Sequence, residues 1–117
     1  MRLHYLEIKP GERHPMCFSL SATEAIIDRF GSLDAMRRAM EDSEDAAARL
    51  RAIDDVLTAL LDAGRRYCAE MGVDMPPPIR CRPADLIDVS DPSAIRAIFE
   101  TIQGDSARTI EAREKNE

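Results

Sequence analysis

Hydrophobic and polar residues alternate clearly only at the start of the chain. In "RLHYLEI", residues 2–8, Leu3, Tyr5 and Glu7 fall on one side and His4, Leu6 and Ile8 on the other. A period of two marks a strand. Pro10-Gly11 then supplies a turn, and "HPMCFSL", residues 14–20, is expected to return as a second strand. Pro15 confines that strand to an edge or to its first position. A lone hairpin is marginal in water, so it must pack on helices or pair with another chain.

From residue 21 the period becomes helical. Ser21 and Glu24 have capping-box spacing, and Ala22, Ala25, Ile26 and Phe30 follow on one helix. Gly31 stands where a left-handed C-terminal residue is wanted, and Ser32 caps a second short helix with Asp34 in its first turn. Leu33, Met36 and Met40 lie on one stripe of that helix. The chain therefore stops, turns sharply and restarts around a small core.

After the charged stretch "EDSED", Ser43 is expected to cap the longest helix, over residues 44–71. Ala46, Leu50, Ile53, Leu57, Leu60, Gly64, Tyr67 and Met71 recur at alternating spacings of four and three. At ~1.5 Å per residue this helix is about 42 Å long. It reads as the spine of a small bundle rather than a coiled-coil seam, because a seam wants bulk where Gly64 stands. Gly72 ends it, and "VDMPPPIRCRP" is a polyproline-like brace. Pro83 opens a short helix over "PADLIDVS". Asp91-Pro92 opens another, with Ile95, Ile98, Phe99 and Ile102 buried and Gly104 as its stop. The fold class expected is mainly α: a small helical domain with an N-terminal β-hairpin over residues 1–104, then a flexible charged tail over 105–117.

Composition sharpens this. A chain of 117 residues fits one domain, and an apolar content of 44% with only 4% aromatics fits closely packed Ala- and Leu-rich helices. A net charge of −6 disfavours nucleic acid. Arg37-Arg38, Arg65-Arg66 and Arg80/Arg82 read as solvated faces beside acidic neighbours. No apolar run has the length of a membrane span and no signal-peptide core opens the chain, so a soluble intracellular protein is expected. Cys17, Cys68 and Cys81 are odd in number and widely spaced, which is not a disulfide framework. They are expected to be buried thiols.

Candidate chemistry is thin. His14 and Cys17 have a metal-like spacing, but no second pair matches it. Three apart on a strand, they face opposite sides, so local Cys–His catalysis is not expected. Glu41/Asp42, Glu44/Asp45 and Asp54/Asp55 read as solvated carboxylates. The glycines form no phosphate loop. No catalytic residue, cofactor or metal is expected. The six methionines suit either an adaptable binding surface or the gaps of an aromatic-poor core.

The order of features carries a resemblance. "PMCFSL", then "ATEAIIDRFGSLDAM", then a long helix closing in "ALLDAGRRYCAEMG", then "ADLIDVSDPSAIRAIFETI" resembles the tail assembly chaperones of long-tailed bacteriophages and prophages, over residues 14–103. The resemblance implies a non-enzymatic protein in the cytoplasm of the bacterial host that is absent from the mature virion. It implies that such a protein binds the tape measure protein, keeps it soluble and helps recruit tail tube protein. Many members of the family are made in two forms by a ribosomal frameshift, and "GDSARTIEAREKNE" would suit the short one. Phe18, Leu33, Met36 and Met40 are the expected protein-binding residues, with self-association through the hairpin edge a further expectation and no nucleic-acid or membrane partner. The alternative is a small acidic regulatory module, antitoxin- or inhibitor-like, that masks a basic partner. An enzyme ranks third, and a pocket joining His14 to one of the cysteines would bring it forward.

Overall fold

The computed structural model describes the backbone of residues 1–115 and the side chains of residues 1–104. The fold is mainly α with an N-terminal hairpin: β1 (His4–Lys9), β2 (Glu12–Met16), α1 (Leu20–Phe30), α2 (Leu33–Glu41), α3 (Ala46–Met71), a 3-10 turn (Pro83–Asp85) and α4 (Ser93–Lys115). β1 and β2 pair antiparallel, with Leu6 opposite His14 and Tyr5 opposite Pro15. The strand pattern is as expected on β1, where Leu6 is buried and Tyr5 is exposed. β2 is shorter at its far end than expected. After Met16 the chain leaves its partner, and the Cys17 N–H donates instead to the Leu60 carbonyl of α3 at 3.3 Å.

Two helix starts differ from the expected ones by two residues each. Ser19, not Ser21, caps α1, its hydroxyl accepting from the Ala22 N–H at 3.1 Å. Asp45, not Ser43, caps α3, accepting from the Ala47 and Ala48 N–H groups at 3.0 and 3.3 Å. A carboxylate within reach of two free amides at a helix N-terminus outdoes a hydroxyl further upstream. The break between α1 and α2 is as read. Gly31 has φ +94° and its N–H donates to the Ile27 carbonyl at 2.7 Å, and Ser32 caps α2 through the Ala35 N–H at 3.0 Å.

α3 is the spine. Its buried face carries Ala52, Val56, Leu57, Leu60, Leu61, Ala63, Gly64 and Cys68 and is wider than a two-position seam. Ala46, Leu50 and Met71 at its ends are exposed rather than buried. The hairpin lies on its C-terminal half, α1 and α2 along its flank, and α4 against both α3 and β1. α4 does not stop at Gly104. The helix passes through it because Gly104 answers a packing need: a Cβ there would sit 3.3 Å from the His4 ring. Among the described side chains of α4 the buried ones are Ala94, Ala97, Ile98, Thr101 and Ile102, while Ile95 is exposed. The flexible charged tail was expected over 105–117; the α4 backbone is helical as far as Lys115, and the side chains beyond Gly104 and residues 116–117 lie outside the described structure.

The segment between α3 and α4 is braced at two points. The Arg65 guanidinium donates to the Pro76 carbonyl at 2.9 Å. Further on, Asp54 accepts from Arg82 Nε at 2.9 Å and from the Ala84 N–H at 2.8 Å. Among the described residues, no helix is long and apolar enough to cross a membrane.

Candidate functional site

The second brace fixes the geometry of an apolar recess. Asp54 projects from the N-terminal half of α3 and is buried, although a solvated carboxylate was expected there. By holding Arg82 and Ala84 it sets the 3-10 turn against α3, and residues 86–91 then run over to the start of α4. The three pieces enclose a groove of about 180 Å³. Leu50, Ile53 and Leu57 of α3 form one wall, Ala84, Ile87 and Val89 another, and Ala94 and Ile95 of α4 the third. The walls are apolar, and three of their side chains remain open to solvent: Leu50 at 52%, Val89 at 84% and Ile95 at 42% exposure.

Two carboxylates mark the rim of this groove, Asp88 and Asp91. Each is pinned locally. Asp88 accepts from the Ser90 N–H at 2.8 Å and its hydroxyl at 2.7 Å, and Asp91 accepts from the Ser93 N–H at 2.9 Å ahead of α4. These bonds favour the ionised form and hold both carboxyls below the usual carboxylate range. The rim is therefore negative and fixed in position, around mostly apolar walls.

A second cleft, about 140 Å³, lies between α3 and the brace, lined by His14, Thr58, Leu61, Asp62, Arg65, Ile79 and Cys81 among others. It brings His14 and Cys81 to one place, which the sequence reading had made the mark of an enzyme. Cys81 is exposed, contrary to the expected buried thiol, while Cys17 and Cys68 are buried. His14 is buried, and its Nε2 lies 3.6 Å from the Glu12 carboxylate without a hydrogen-bond partner. Burial pushes the imidazole below its ordinary value, and Glu12 pulls in the opposite direction. Among the described residues His14 Nε2 has no hydrogen-bond partner, so that nitrogen does not make with the Cys81 thiol the contact through which a base activates a thiol. Among the described residues, no three or more His, Cys, Asp or Glu side chains come together as metal ligands.

The four residues expected to bind protein lie elsewhere. Met36 and Met40 are buried in the core at 2% and 6% exposure, on the α2 face turned to α3. Phe18 and Leu33 are half-buried against the same core. Their flexible thioethers and rings fill an interior short of aromatics, and a partner would reach the two methionines only by displacing α2. The groove escaped the sequence reading because Leu50 and Ile95 were assigned to buried stripes. One signal was present: Asp54 sits four after Leu50 and three before Leu57, on the apolar row itself.

Comparison with family models, with curated proteins and with solved structures finds no match.

Proposed function

We propose that this chain is a protein-binding module, and that it acts as a tail assembly chaperone of the kind its sequence resembles. In this reading it binds the tape measure protein, keeps it soluble and helps recruit tail tube protein in the bacterial cytoplasm. One observation carries the binding role: a preformed apolar groove whose walls Leu50, Val89 and Ile95 stay open to water. Apolar surface held open beside a filled core marks a place where another molecule docks. A groove between helices suits an amphipathic helix, and a long tail protein offers such stripes repeatedly. The finer role rests on the order of motifs over residues 14–103.

The test is co-expression with a tape measure protein encoded beside this chain. The client should stay soluble with the wild type and aggregate without it. Val89→Asp/Ile95→Asp, which places charge on exposed walls, should lose the effect while remaining folded. Equal client solubility with and without the wild-type chain would sink the chaperone role.

A further inference from the structure

We propose that the groove selects its partner by charge: it takes one Leu- or Phe-sized side chain from an amphipathic helix that carries Lys or Arg one turn from that anchor. This deepens the protein-binding reading and rests on it for the class of partner. The size of the anchor follows from volume. An apolar cavity of about 150 Å³ accommodates a benzene-sized group, and this groove offers about 180 Å³ between Leu57, Ala94 and the open side chains of Val89 and Ile95.

The charge of the flank follows from the rim. Asp88 and Asp91 share one turn, the Asp91 N–H donating to the Asp88 carbonyl at 3.0 Å, so the two charges oppose one another; Asp88 is held ionised by the Ser90 N–H and hydroxyl, and Asp91 by the Ser93 N–H. Neither can turn away without giving up those bonds. Of the neighbouring cations, Arg82 is bonded to the buried Asp54, and Arg96 offsets the Asp91 charge only weakly. Among the described residues, no ion pair is made to Asp88. A partner that brings a positive charge to this rim relieves the repulsion, whereas one that brings Glu or Asp adds to it. Apolar burial then supplies most of the affinity, and the rim decides which helices, and which register, are accepted.

The probe is a fluorescein-labelled amphipathic Leu/Lys helical peptide, compared with a Leu/Glu peptide of the same pattern, by anisotropy against the full chain. Wild type should bind the Leu/Lys peptide and discriminate against the Leu/Glu one. Asp88→Asn and Asp91→Asn keep an amide oxygen for the Ser90 and Ser93 donors but remove the charge. Each should weaken the Leu/Lys peptide by about two- to fivefold. Glu70→Gln/Asp74→Asn, in the last turn of α3 and just beyond it, should change nothing, which separates the rim from the general acidity of the chain. Val89→Asp/Ile95→Asp should abolish binding of the Leu peptides. Equal binding of both peptides, or equal weakening by the remote pair, would overturn the charge selection. A wild-type dimer broken by Ile95→Asp would overturn the whole proposal, since a second copy would then occupy the groove. Client solubilisation without any peptide binding would overturn this inference and leave the chaperone reading intact. Peptide binding without client solubilisation would do the reverse.

Discussion

Pro15 and Gly64 meet backbone to backbone: a Cβ built on Gly64 would overlap the Pro15 carbonyl and stand 2.8 Å from Met16 Cα. The bare stretch of α3 is what lets β2 lie flat on the helix, close enough for the Cys17 N–H to reach the Leu60 carbonyl. Gly64→Ala gains about 1 kcal/mol of helix propensity. It must also lift the hairpin, because the atoms it strikes are main chain and have no rotamer to change. Net destabilisation of about 1–3 kcal/mol is expected from overpacking. Chemical denaturation checks it, and an unchanged or raised midpoint would show that the hairpin is not seated on Gly64.

Gly31 serves the backbone instead. Nothing lies within 4 Å of a Cβ placed there, yet its φ is +94°. Gly31→Ala should therefore destabilise by about 1–2 kcal/mol from the positive φ alone, reduced somewhat by the stiffer unfolded chain. Gly31→Asn should be destabilising too, since ψ of −35° lies outside the αL region in which Asn is tolerated. If Ala and Asn were indistinguishable from wild type in thermal melts, the break between α1 and α2 would not need its glycine.

The Asp54 brace predicts a local effect more than a global one. Asp54→Ala leaves the Ala84 N–H without its acceptor and frees Arg82, which is 63% exposed and rehydrates readily. The loss should stay near the lower end of about 1–3 kcal/mol. Tryptic cleavage after Arg80 should accelerate far more than cleavage within α3, because the segment after Ile79 loses its anchor. Cleavage at the wild-type rate would mean that packing alone holds this segment.

Much of this architecture was legible because local rules agreed with one another. Gly31 and Ser32 are adjacent and serve the same break, and Leu57 and Leu60 lie on a period that no strand could satisfy. Two expectations missed by choosing the wrong one of two neighbouring caps, and the others missed where a long-range contact decided. Ser21 and Ser43 were plausible caps, and Ser19 and Asp45 were better placed once the chain had turned. Gly104 has the look of a stop, but its lack of a side chain is used against His4 from the far end of the sequence. Asp54 looked solvated because its partners, Arg82 and Ala84, come from a distant brace. The groove is hidden in sequence for the same reason: exposure of Leu50 and Ile95 depends on where residues 86–91 pass, and Val89 alone carries no period.

His14 gives the fold a pH dependence with a definite sign. Burial lowers its folded value below the ordinary 6.5, the Glu12 carboxylate partly opposes this, and Arg65 and Lys9 add to the lowering. As pH falls below about 6.5 the unfolded chain takes up a proton that the fold resists, so stability is lost progressively down to the lowered folded value. Denaturation midpoints measured at about pH 7.5 and about pH 5.5 should fall for wild type more than for His14→Leu. Parallel losses in the two proteins would place the titration elsewhere.

The seating of β2 on α3 also sets an order of events during synthesis. His14, Pro15 and Met16 leave the ribosome long before Leu60 and Gly64 exist as a helix, and a two-stranded ribbon has little stability of its own. α1 and α2 join through neighbouring residues, so they can associate early, whereas the first strands made are the last to be secured. Stalled nascent chains should stay open to trypsin at Arg13 until residue 64 has emerged and helix has formed around it. Early protection would mean that the hairpin finds another support. The N-terminus of this small domain is thus an unfinished edge for most of its birth, closed by a glycine that arrives halfway along the chain.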